Sequence, residues 1–149
     1  MRLRVAGLVV DGESQKLPVQ LFADCIDQHV EVANVRYSDI SKAEPSEASE
    51  KIRERVIKAR KIQEERFKNV KDVHCNAQMN DRMIHKYAEP DEAGLQTLRI
   101  AMERLSLSAR AYSRILKVAR TIADLDGSEN VRVDHIAEAI SYRNLARSV

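Results

Sequence analysis

A mainly α fold, a helical bundle preceded by a short N-terminal extended or β segment, is what the sequence predicts, and three observations carry it. Charged residues fill 32% of the 149 positions, aromatics supply 4%, and tryptophan is absent; this balance suits helices with solvated faces and argues against a β-sandwich. Beyond position 45, apolar residues recur at spacings of three and four between capping residues, the mark of amphipathic helices. Before it the period changes to two, as in Arg2-Leu3-Arg4-Val5, which suits a strand. The expected division is an extended segment over 1–44 and a helical domain over 45–149.

Composition also bounds function. The formal net charge is +2, with Lys and Arg interleaved with Asp and Glu, so charge alone does not imply nucleic acid and any basic patch must be local. Cys25 and Cys75 are too few for a disulfide framework, and a reducing compartment is the simpler reading. The opening MRLRVAGLVVDG is interrupted by Asp11 before signal-peptide length. No stretch approaches the roughly 20 apolar residues of a membrane span. The expectation is a soluble cytoplasmic protein with no membrane partner.

In chain order, Leu8-Val9-Val10 followed by Asp11-Gly12 and Leu17-Pro18-Val19 predicts a short hairpin turning at Asp11-Gly12. Gly7 to Ser14 has the spacing of a phosphate-binding loop, but Glu13 stands where the lysine must be, and a carboxylate repels phosphate. The β-branched loop positions favour a strand instead. Val30, Val32 and Val35 alternate with polar residues, which predicts a strand from His29 to Tyr37. Ser38 to Ser49 reads as a linker. A charged helix follows from Pro45 to Lys68, with Ile52, Val56, Ala59 and Phe67 as a thin apolar stripe and Glu50, Glu54, Lys58, Glu64 and Lys68 placed for i, i+4 pairs.

Asn80 is placed to cap a short helix through Tyr87, and Pro90 to occupy the first turn of the next. In that helix Leu95, Leu98, Met102 and Leu105 align to pack on Ile115, Ile122 and Leu125. The run from Leu105 to Gly127 is the most informative. Ser108 suits the N-cap, Gly127 the position after the C-cap, and Tyr112, Ile115, Ala119, Ile122 and Ala123 form a buried face, giving about five turns of helix. On the other side Arg110, Arg114 and Lys117 share a basic stripe. Arg110 stands in the first turn, where backbone N–H groups favour an anion and a guanidinium can fork onto phosphate. A last helix runs from Asp134 to Leu145, with Asp134 complementing its dipole.

Little else points to chemistry. Cys25, His29, His74 and Cys75 lack the paired-knuckle spacing of a zinc site. His85 and His135 read as surface histidines, and no nucleophile elbow or catalytic triad is present. The chain by itself is expected to be no enzyme.

Ser108-Ala109-Arg110-Ala111-Tyr112, the run Ala119 to Leu125, His135 to Ile140 with Tyr142-Arg143, and Asn76-Ala77-Gln78-Met79 resemble the C-terminal domain of magnesium chelatase-like AAA+ ATPases, in the competence-associated branch. Asp24, Ile26, Asp27, His29, Glu31 and Val32 resemble the segment that closes that family's ATPase core. The resemblance covers residues 24–149. It implies a helical lid behind a nucleotide site, with Arg110 as the sensor-2 arginine on the γ-phosphate of ATP and Arg114 as a second cofactor-binding residue. It also implies ATP and Mg2+ as cofactors of an intact parent, with none for this chain alone. The implied partners are the ATPase core of the same parent, a homo-oligomeric ring and DNA. Cys25 stands where the family carries an arginine finger, and a thiol cannot stabilise phosphoryl charge as a guanidinium does. Because the Walker elements are absent, residues 1–44 read as the remnant of a core. Two readings of Cys25 compete, a degenerate subunit that relies on a partner and a chain whose first 25 or so residues come from an altered or misread coding sequence, and the fall in resemblance before Asp24 favours the second. The rival reading is a free-standing helical module that binds DNA or protein through Arg110, Arg114 and Lys117.

Overall fold

The computed structural model describes residues 3–5, 8–10, 28, 30 and 47–143. At the N-terminus β1 (Leu3–Val5) pairs antiparallel with β2 (Leu8–Val10), Leu3 opposite Val10 and Val5 opposite Leu8. A hairpin forms as the alternation predicts, but it closes between Val5 and Leu8, not at Asp11-Gly12. Strand β2 takes up residues that a phosphate loop starting at Gly7 would need, in line with their β-branched character. Most of the expected strand over His29–Tyr37 and of the Ser38–Ser49 linker, with Cys25 and Pro45, lies outside the described residues, whereas the last helix ends at Ser141 with Tyr142 as its C-cap, short of the expected Leu145.

Five helices follow: α1 (Ser49–Phe67), α2 (Asp81–Tyr87), α3 (Glu92–Arg104), α4 (Ala109–Leu125) and α5 (Val133–Ser141), with a 3-10 turn at Asn76–Gln78. Local chemistry places most of their ends. Asn80 Oδ1 accepts the Met83 N–H at 3.0 Å, Asp91 Oδ1 accepts that of Gly94 at 2.7 Å, and Ser108 Oγ accepts that of Ala111 at 3.2 Å, each satisfying a donor with no partner inside its helix. Pro90 is not in the first turn of α3 as expected. Asp91 is the cap, because its carboxylate can accept an orphan N–H, and Pro90 lies before it, bridged to Val131. Gly127 ends α4 with φ 68°, a conformation that favours glycine.

Helix α4 runs through the middle of the bundle. Ala119, Ala123 and Ala139 are fully buried, and their small side chains let α4 and α5 approach closely. Leu98, Ile115, Leu116 and Ile136 fill the space around them. Phe67 of α1 meets Tyr87 of α2 edge to face, 5.7 Å between centroids, a favoured aromatic geometry. Leu98 and Met102 of α3 pack on the core as expected, whereas Leu125 is 46% exposed, since it falls off the buried face of α4 at its last turn. Helix α1 is exposed over most of its surface, as its charge and thin apolar stripe imply. Ala59, Gln63 and Phe67 are buried, but Ile52 and Val56 are 44% and 46% exposed, because the bundle covers only the C-terminal half of this helix. Among the described residues its exposed ion pairs are Arg55 with Glu47 at 2.8 Å and Lys68 with Glu65, outside the expected i, i+4 set, and Arg66 pairs across the bundle with Asp124. Among the described residues no helix is long and apolar enough to cross a membrane.

Candidate functional site

The first turn of α4 presents Arg110. Ser108 caps this turn through the Ala111 N–H, so the helix starts sharply and Arg110 stands at its positive end. The side chain of Arg110 is exposed and makes no hydrogen bond or ion pair among the described residues. The rest of the anticipated basic stripe is not equivalent. Arg114 is half-buried and partnered. Lys117 Nζ donates to the Ala77 carbonyl at 2.9 Å and so pins the 3-10 turn to α4. Three cations at helical spacing thus resolve into one exposed guanidinium without a partner among the described residues, one half-buried and partnered guanidinium, and one ammonium bonded to the 3-10 turn.

Near the other end of α4 the fold builds a charged cluster that sequence reasoning missed. The Asp124 carboxylate is fully buried and accepts from Arg66 Nη1 at 2.8 Å, Asn76 Nδ2 at 2.7 Å, Arg120 Nε at 3.1 Å and Arg120 Nη2 at 2.9 Å. Arg66 also donates to Asn76 Oδ1, and Arg120 to the carbonyls of Ser128 and Glu129. One carboxylate therefore joins α1, the 3-10 turn and α4, with the loop after α4 held by the same arginine. Burial alone pushes the Asp124 carboxyl up. Hydrogen bonds from Arg66 and Asn76, with the charges of Arg120 and Arg66, outweigh burial and hold it below its ordinary value. Burial pulls Arg120 down against the opposing charge of Asp124, from an ordinary value high enough that it stays a cation. The available signal was weak: Arg120 and Asp124 lie four apart at the edge of the apolar face, beside Leu116, where an exposed surface pair would also lie.

His135 is likewise not the surface histidine expected. It is buried, its Nδ1 accepts the Arg132 N–H at 3.0 Å, and Nε2 lies 3.4 Å from Asp126 Oδ2. The accepted N–H identifies Nδ1 as unprotonated, and the ring serves as the cap of α5. On the exposed Asp126, the hydrogen bond to His135 is the largest cause of a lowered pKa, with Arg132 adding to it.

No group of metal-ligating side chains exists among the described residues. His74 and Cys75 both turn to Gln78, whose Oε1 accepts the His74 N–H at 2.7 Å. A cleft of about 480 Å³ opens between Arg66, His85, Tyr87, Arg120 and the 127–131 loop, but Arg110 is not part of it. The chemistry the geometry offers at α4 is binding of an anion by an exposed guanidinium at a helix N-terminus.

Residues 46–143 match the family described as magnesium chelatase, subunit ChlI C-terminal. The competence protein ComM of Haemophilus influenzae is 37% identical over 127 residues, 85% of this chain and 24% of that protein. The protein YifB of Escherichia coli is 37% identical over 103 residues, 69% of this chain and 19% of its own length. A protein of Mycobacterium tuberculosis is 31% identical over 120 residues, 80% of this chain and 24% of its own. The chain thus spans about a quarter or less of the relatives it matches. The 127 residues matched in the ComM protein are more than lie between position 46 and the C-terminus, so the similarity also reaches into the segment before the helical domain.

Proposed function

Because the chain belongs to the magnesium chelatase ChlI C-terminal family, we propose that it is the helical lid of a magnesium chelatase-like AAA+ ATPase, with Arg110 as the residue that reads the γ-phosphate of ATP. In this reading 45–149 is the lid and 1–44 the end of the ATPase core. The nucleotide, its Mg2+ and the Walker elements belong to the rest of a parent protein, which works as a homo-oligomeric ring in the cytoplasm. In this reading the parent acts in DNA processing, and the name of the relative, competence protein ComM, supports a role in competence. Arg114 lies one turn from Arg110 and is the second residue of this reading that contacts the nucleotide. The chain alone hydrolyses nothing, since a guanidinium binds and orients a phosphoryl group but supplies neither attacking water nor metal.

The observation that carries this reading is the contrast along α4. Lys117 and Arg120 are both tied into the fold, whereas Arg110 is held out, without a protein partner among the described residues, at the helix end best suited to an anion. A free-standing module gripping DNA through all three cations of the stripe is the poorer fit, because Lys117 is already spent on the Ala77 carbonyl.

The test is a chimaera in which residues 46–143 replace the matching part of the ComM relative. Arg110→Ala should lower ATP turnover by roughly 10- to 100-fold, the loss of one charge-assisted contact of about 1.5–3 kcal/mol, and leave the melting temperature unchanged. An active chimaera whose kcat and KM are indifferent to Arg110→Ala would refute the assignment.

A further inference from the structure

The N-terminal half of α1 carries an apolar face that the bundle does not use. At 100° per residue, Ile52, Val56, Ala59, Gln63 and Phe67 project from one side of the helix. The last three are buried against the bundle, while Ile52 and Val56, on the same side, are 44% and 46% exposed. A seam that continues past the body covering it needs a second body to cover the remainder. This end of the helix is also the weakly secured one. Its N-cap is Ala48, which offers no side-chain acceptor, and the Arg55–Glu47 ion pair beside it is exposed.

Size decides between candidate occupants. Two half-exposed side chains from each of two copies would bury on the order of 200 Å², against roughly 1,200 Å² for a stable specific interface. A second copy of the chain therefore cannot hold this face by itself. A body tethered to the helix can, because attachment replaces a bimolecular cost with a millimolar effective concentration. The matched stretches make up 24% of these relatives, and the similarity continues upstream of position 46, so in them the polypeptide runs on past the exposed end of this helix.

We infer that the face of α1 formed by Ile52 and Val56 is the seat on which the preceding ATPase core of the parent rests, the helix being shared between the two bodies with its C-terminal half fastened to the lid by Arg66 and Asp124. The inference rests on the lid reading and adds to it the surface through which core and lid meet. The helix then works as a rigid strut, since Arg66 in its last turn grips the same carboxylate as Arg120 of α4, the helix that carries Arg110.

Amide hydrogen exchange over 51–59 tests this in two samples, the isolated 149-residue chain and the chimaera with the ComM relative. In the chain these amides should exchange at least ten times faster than in the chimaera. Ile52→Ser with Val56→Ser should abolish the difference and leave the melting temperature of the isolated chain unaltered. Sedimentation should show that chain to be a monomer. Equal exchange in both samples, or protection already complete in the isolated chain, would overturn the proposal, as would a dimer that the double substitution dissolves. Failure of the lid reading looks different: α1 becomes protected in the chimaera while ATP turnover ignores Arg110→Ala.

Discussion

Asp124→Asn is the substitution that asks most of this fold. The replacement keeps the size of the side chain and removes its charge, leaving two guanidiniums facing an amide. The Arg120 side chain is 3% exposed and cannot recover its water, whereas that of Arg66, at 12%, recovers little. Breaking a buried ion pair by removing one partner costs about 3–5 kcal/mol, because the other charge stays behind desolvated. Here two stay behind, so the upper half of that range is expected. Urea denaturation followed by circular dichroism should show the midpoint falling by about 2 M, given slopes of about 1–3 kcal/mol per M for small proteins. Arg66→Gln should cost less, about 1–3 kcal/mol, since it leaves Arg120 and Asp124 matched one to one. The double variant should be more stable than the sum of the two losses by at least about 1 kcal/mol, as one buried cation is then left instead of two. A loss below about 1 kcal/mol for Asp124→Asn, or strict additivity, would refute the claim that this carboxylate fastens α1 to α4.

The same site gives the acid limb of stability a sign. The folded-state pKa of Asp124 is lowered, so its stabilisation is full above the unfolded value of about 3.9 and is lost as pH falls through the folded value; Asp124→Asn should flatten the stability profile below about pH 4, and an unchanged acid limb would count against the pairing. At Gly94 an added Cβ would come within 2.9 Å of Asp91 Oδ1 and of Pro90 Cβ, and 3.4 Å from Ile136, so Gly94→Ala should destabilise by about 1–3 kcal/mol despite alanine's better helix propensity, and a raised melting temperature would show that this packing is loose. Ser108→Ala removes the acceptor for the Ala111 N–H and should cost about 1 kcal/mol, which equilibrium denaturation can measure.

What the residues determine by themselves is local. Ser108 and Asn80 cap the helices they were expected to cap, and Gly127 takes the left-handed backbone conformation at the end of α4, because these outcomes depend on groups within four positions of one another along the chain. The placement of Arg110 in an exposed first turn follows from the same short-range rules. The resemblance to the family, read from the runs around Arg110, Asp124 and His135, was likewise legible, since a linear motif needs no folding to be seen. Tertiary structure decided the rest. Asp124 and Arg120 form an ordinary i, i+4 pair until Arg66, 58 positions from Asp124, and Asn76 arrive, and only then is the pair buried. His135 becomes a cap because Arg132 turns its N–H toward the ring. Lys117 leaves the basic stripe because the 3-10 turn brings the Ala77 carbonyl within reach. Periodicity marks which face of a helix is apolar, but how far along that face a neighbour extends depends on where the neighbouring helices end. For that reason Ile52 and Val56 share one apolar stripe with Ala59 and Phe67 in the sequence, yet lie open in the fold where the other two are buried.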